Sequence, residues 1–82
     1  MPVERRLRDV FAAVFGVAPE TVSAATTAAS LPQWDSVSHI QLFLAIEAEF
    51  SAEFDPDEIA ELVSFDAIRQ RLVRATAGRG EP

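Results

Sequence analysis

Large apolar residues recur three and four positions apart near the start of the chain and again through its second half, and they thin out in between. Val3, Leu7, Val10, Phe11 and Val14 follow helical spacing, with arginines and acids on the other face, so residues 3–15 are predicted to form a first helix. Gly16 is a fitting stop for it. Residues 17–34 are rich in alanine, serine and threonine, include Pro19 and Pro32, and have too few large apolar residues for a regular element. They are expected to form a long loop, with one isolated turn at Pro19-Glu20-Thr21-Val22. A connection this long in a small domain needs a function or anchors of its own. Val22, Leu31 and Trp34 are the anchors it offers.

A second helix is predicted over residues 36–50, with Asp35 as the N-cap whose carboxylate takes up orphan amide protons. At roughly 100° per residue, Leu42, Phe43, Ile46 and Phe50 fall on one side, with His39 at the beginning of that side. This is the expected core stripe. Val37, Ile40 and Leu44 lie on an adjacent face with Gln41, Glu47 and Ala48. The helix is therefore apolar over more of its circumference than a surface helix of a bundle needs. Either the long loop or a short third helix covers the extra face, or a partner docks on it beside Ser36.

Asp55-Pro56-Asp57-Glu58 reads as a helix start, with aspartate at the cap, proline at the first helical position and glutamate three residues beyond the cap. The helix it opens is short, ending near Leu62 or Val63. Ser64 then caps a last helix over residues 65–75, with Phe65, Ile68 and Leu72 at helical spacing and arginines near its end that suit the helix dipole. No strand-like alternation and no internal repeat occurs. The expected fold is all-α, a four-helix bundle of three longer helices and one short helix, with a long loop between helices 1 and 2. It forms a single domain over residues 1–76, with residues 77–82 as a flexible tail.

Size and charge narrow the function. A chain of 82 residues builds one small core and has little room for a deep substrate pocket, so it is expected to work through partners. Without cysteine it has no disulfide framework, no thiolate metal site and no thiol chemistry of its own. The N-terminus lacks the apolar run of a secretory signal, and no segment approaches the ~18 apolar residues of a membrane span. A cytoplasmic protein without membrane contact is the expectation. The net charge of -6 argues against nucleic acid, whose phosphates bind lysine and arginine. From Asp35 to Glu61 there are eight acids and no lysine or arginine. That acidic middle is either a solvated face or a docking surface for basic partners.

Asp35, Ser36 and His39 are the residue types of a hydrolytic triad. Yet His39 projects along the inward stripe, and the sequence offers neither an oxyanion hole nor a cleft. A partly buried, hydrogen-bonded histidine at the loop–helix junction is the expected role of His39. One histidine and no cysteine argue against a transition-metal site. The acids Asp55, Asp57, Glu58 and Glu61 are explained as helix capping, with Ala60 where a calcium loop needs glycine. Ser36 is left as an exposed hydroxyl at a helix N-terminus, either a capping residue or a point of attachment for a phosphate.

Trp34-Asp35-Ser36-Val37, followed by Ile40-Gln41-Leu42-Phe43-Leu44-Ala45-Ile46-Glu47-Ala48-Glu49-Phe50, resembles the Asp-Ser-Leu motif and second helix of the acyl carrier proteins. The similarity extends in outline over residues 3–75, from the N-terminal helix and long loop to the Asp-Pro-Asp-Glu start of a short helix. The resemblance implies an acyl-carrier-protein-like bundle, non-catalytic in itself, in which Ser36 carries a 4'-phosphopantetheine arm from coenzyme A. A separate phosphopantetheinyl transferase would attach the arm, and its imported thiol would carry acyl thioesters between loading and processing enzymes. By the same resemblance Asp35, Val37, Ile40, Gln41, Leu44 and Glu47 would meet those partners, and the protein would be a monomer. Departures from the family pattern are Gln33-Trp34 before the motif and the uncharged Ser38 and Gln41. They point to a discrete carrier of specialised metabolism, of polyketide type or similar. The alternative is an aminoacyl carrier of D-alanyl or peptidyl type, since stand-alone carriers of that kind can show a Trp-Asp-Ser-like motif. A more remote one is an unmodified helical interaction module.

Overall fold

A computed structural model describes residues 3–78 of the chain. Its four helices are α1 (Val3–Phe15), α2 (Ser36–Phe50), α3 (Pro56–Glu61) and α4 (Phe65–Gly78), with one 3₁₀ turn at Pro19–Thr21. Among the described residues there is no strand, only an isolated antiparallel bridge between Thr27 and Ser64. The fold is the all-α bundle expected, with the long loop between the first two helices.

The core gathers around Phe11, whose ring meets Phe15, Trp34 and Phe65 edge-on at centroid distances of 5.5, 5.2 and 5.2 Å. Edge-to-face packing sets the positive rim of one ring against the negative face of another. Leu7, Leu42, Phe43, Ile46, Ile68 and Leu72 complete the interior. Each such side chain contributes roughly 1.5–3 kcal/mol by leaving water. The loop joins this core through the anchors expected of it: Val22 and Trp34 are buried and Leu31 is packed against the core. Backbone bonds from Ala28 N to Val63 O and from Phe65 N to Thr26 O, both 2.9 Å, tie the loop to the turn before α4. These bonds answer the question of how so long a connection stays ordered.

Helix ends follow local chemistry. Gly16 closes α1 at φ 69°, a left-handed conformation that glycine adopts without a Cβ penalty. Ser51 closes α2 in the same region, at φ 52°. The Ser64 hydroxyl caps α4 by accepting from Ala67 N at 3.1 Å. Two boundaries differ from expectation. The short helix α3 ends at Glu61, just before the expected stop, and α4 runs past Ala75 to Gly78 because alanine-rich sequence supplies no breaker before the glycine. The last turn of α4 consequently holds no basic residue, and the expected match of arginines to the helix dipole does not occur. Arg69 and Arg71 are used laterally, on Asp66 and on Glu58. Residues 79–82 of the expected tail lie outside the described residues.

Candidate functional site: the N-terminus of α2 and its groove

Three features meet where the long loop enters α2. The first is the cap. Asp35 Oδ1 accepts from Ser38 N at 2.9 Å, which is the N-cap bond that the sequence predicts. That backbone bond, with a further one from the Ser38 hydroxyl, holds the Asp35 carboxyl below its ordinary value of 3.8. Ser36 is therefore the first residue of the helix, exposed, with no protein group bonded to its hydroxyl among the described residues.

The second feature is a relay through His39. The Trp34 indole Nε1–H donates to His39 Nδ1 at 2.9 Å, and His39 Nε2 lies 2.6 Å from the carbonyl oxygen of Ile59 in α3. An indole nitrogen can only donate and a carbonyl can only accept. The ring must then be neutral, with its proton on Nε2. The Trp34 ring lies beside it, tilted by 23° with centroids 6.0 Å apart, and Phe43 meets it edge-on at 5.0 Å. His39 thus has the half-buried, hydrogen-bonded role at the loop–helix junction that the sequence suggests. With both nitrogens engaged elsewhere, it makes no hydrogen bond to Ser36, and Asp35, Ser36 and His39 do not form a proton relay.

The third feature is a groove of about 500 Å³ between α2 and α3. Ser36, Asp35 and Ile40 form its α2 side, Trp34 and Ala28 its loop side, and Pro56, Ile59, Ala60 and Val63 its α3 side. The sequence offers the short third helix as a cover for the second apolar face of α2, but not as the wall of a groove. In the sequence those four residues stand at i, i+3, i+4 and i+7; the first three share one face of α3, and Val63 follows just past its end.

Beside the groove, Val37, Ile40 and Leu44 are 66, 56 and 63 % exposed. Neither the loop nor α3 covers this second apolar face. Gln41 is exposed as well. The acids of the region are more occupied than their exposure on paper suggests. Glu47 Oε2 accepts from Phe54 N at 3.1 Å, Glu49 pairs with Arg6 at 3.0 Å, and Glu58 pairs with Arg71 at 2.6 Å. The Arg71 hydrogen bond and the amide of Asp55 hold the Glu58 carboxyl below its ordinary value. Asp57 and Glu61, one helical turn apart on α3, are exposed.

No protein-family model matches this chain, and no curated protein matches it either. Among the described residues, no helix is long and apolar enough to cross a membrane.

Proposed function

We propose that this protein is an acyl carrier, in which Ser36 holds a 4'-phosphopantetheine arm and passes thioester-bound acyl intermediates between partner enzymes. The observation that carries the reading is the position of Ser36: an exposed hydroxyl without a protein partner, at the start of α2, on the rim of an apolar groove. The residues present fit the group. A phosphodiester on Ser36 would stand at the positive end of the α2 dipole, and the arm's thiol would supply the thioester chemistry that a cysteine-free chain lacks.

Attachment asks little of the chain itself. The Ser36 Oγ–phosphorus bond forms as the pyrophosphate bond of coenzyme A breaks and its adenosine bisphosphate portion leaves. A base on the phosphopantetheinyl transferase takes the hydroxyl proton. The bare face of Val37, Ile40 and Leu44, with Gln41 beside it, would seat partner enzymes. Asp35 and Glu47 would add charge there, Glu47 through whatever its bond to Phe54 N leaves available.

The apolar groove favours acyl over aminoacyl cargo. Apart from Ser36 and Asp35 at its mouth, the one polar side chain lining it is His39, whose nitrogens are already engaged. A charged amino group deeper inside would be out of reach of the Asp35 carboxylate at the mouth, which already accepts from Ser38 N, and would find no other charged partner. A discrete carrier of specialised, polyketide-type biosynthesis is the form of the proposal that the uncharged Ser38 and Gln41 support, and a cytoplasmic monomer is part of it.

Incubation with coenzyme A, magnesium and a broad-specificity phosphopantetheinyl transferase is expected to add one phosphopantetheine by intact mass, and Ser36→Ala to abolish the addition. An unchanged mass with a transferase that modifies a control carrier overturns the proposal. Loading of the modified protein by acyltransferases against amino-acid-adenylating enzymes then separates acyl from aminoacyl cargo.

A further inference from the structure

The short helix α3 is held differently from the other three. It has six residues and buries none of them fully; only Ile59 and Leu62 just after it pack against the core, and both are half-buried. Polar ties do much of the holding. On the α4 side Arg71 pairs with Glu58, and the capping box of Asp55 and Glu58 closes the first turn. Across the groove, the tie is His39 of α2 to Ile59 O.

That bond completes the helix. The last four carbonyls of any helix lack intrahelical donors. Val63 N, which would serve Ile59 O in a longer helix, donates to Glu61 O at 3.0 Å instead. His39 Nε2–H takes its place, a C-terminal cap delivered sideways by a neighbouring helix. The same ring accepts from Trp34, so one neutral imidazole joins the loop, α2 and α3 in a single chain of donors, and such chains strengthen their members.

We propose that His39 is the latch of the groove: its bond to Ile59 O sets the spacing of α3 from α2, and releasing it lets α3 move away and the groove widen for an apolar chain. His39 is in this sense a positioning residue. The inference does not depend on any modification of Ser36 and can be tested on the unmodified protein.

Two variants separate the latch from the packing of the ring. His39→Phe keeps the aromatic contacts with Trp34 and Phe43 and removes both hydrogen bonds. His39→Gln offers an amide that can again donate to Ile59 O. In His39→Phe, amide hydrogen exchange at Ala60, Glu61 and Leu62 is expected to accelerate by about tenfold or more relative to amides in α1 and α4, because a half-buried carbonyl loses its donor. In His39→Gln the same amides are expected to stay within about threefold of the parent. Nile red, a neutral apolar probe, should bind His39→Phe more tightly than either of the other two. Equal acceleration in all helices, or none in α3, overturns the proposal. Should His39→Phe not fold, the imidazole nitrogen spectrum of the parent protein decides: an Nε2–H tautomer supports the latch and an Nδ1–H tautomer overturns it.

Discussion

Helix α2 presents two apolar faces with opposite fates. Leu42, Phe43, Ile46 and Phe50 are buried, whereas Val37, Ile40 and Leu44, a few positions away around the same helix, stand bare. Hydrophobicity alone does not separate them; what separates them is the supply of partners. Phe43 meets Phe54 edge-on at 5.2 Å and His39 from the other side, while α1 brings Arg6 over the Phe50 ring at 4.7 Å. No comparable group comes over the bare face, because the loop is drawn to α4 by its bonds to Val63 and Phe65 and α3 is drawn to the far side of the groove. Single exposed apolar residues are ordinary, but here three of them share one face of one helix.

The sharpest contrast comes from truncating the buried face. Phe43→Ala removes a nearly fully buried ring that links α2 to the α2–α3 connection, and it is expected to cost about 3–5 kcal/mol. Urea denaturation measures this directly. A loss smaller than that of an ordinary surface substitution, about 0.5 kcal/mol, would mean that the two faces are not distinct.

Acid should have the next largest effect. The carboxyls of Asp35, Glu58 and Asp66 all titrate below their ordinary values in the folded protein. The causes are the Ser38 amide for Asp35, Arg71 for Glu58, and Arg69 with Gln70 for Asp66. Since the folded values lie below the unfolded ones, the stability these groups contribute is complete above 3.8 for Asp35 and Asp66 and above 4.5 for Glu58. It is lost as pH falls through the lower folded values. Urea midpoints should therefore be flat in these groups from neutrality to the carboxylate range and then decline. Asp35→Asn, which can still cap but cannot ionise, should show a shallower decline. An identical acid limb in that variant would remove Asp35 from the account.

Most of this contrast was legible in the sequence, because helical spacing alone divides α2 into a core stripe and a second apolar group. Asp35 as cap, Gly16 as stop and Asp55-Pro56 as a helix start were equally readable, since each acts through its immediate neighbours; Val22 and Trp34 as loop anchors were readable because they are large apolar residues in an otherwise small and polar segment. What the sequence hid depends on distance. Ser51 ends α2 in a left-handed conformation with no glycine to announce it, and Phe54 and Ala52 are buried within a connection too short to show a period. The bond from His39 to Ile59 spans twenty residues, and no local pattern encodes it. Helix α4 runs on to Gly78 although the residues after Ala75 have nothing large to bury, and its arginines, which suit a helix end, find lateral partners in Asp66 and Glu58. That α3 walls a groove instead of covering the second face of α2 depends on where the chain places it, which no local pattern states.

The smallest expected effect on stability is the most telling about function. Leu44→Glu places a charge in the middle of the bare face, where the side chain is already 63 % exposed. It leaves the core contacts of α2 intact, so the change in unfolding free energy should stay within about 0.5 kcal/mol, with helicity and melting temperature nearly unchanged. If partners seat on this face, the same substitution should weaken transfer of phosphopantetheine to Ser36 by raising the transferase's KM for this protein, because a charge replaces an apolar contact at a desolvated surface. A steep fall in melting temperature would assign Leu44 to the core and erase the division between the faces. Unchanged stability with unchanged transfer kinetics would keep the division but detach Leu44 from the transferase's footprint.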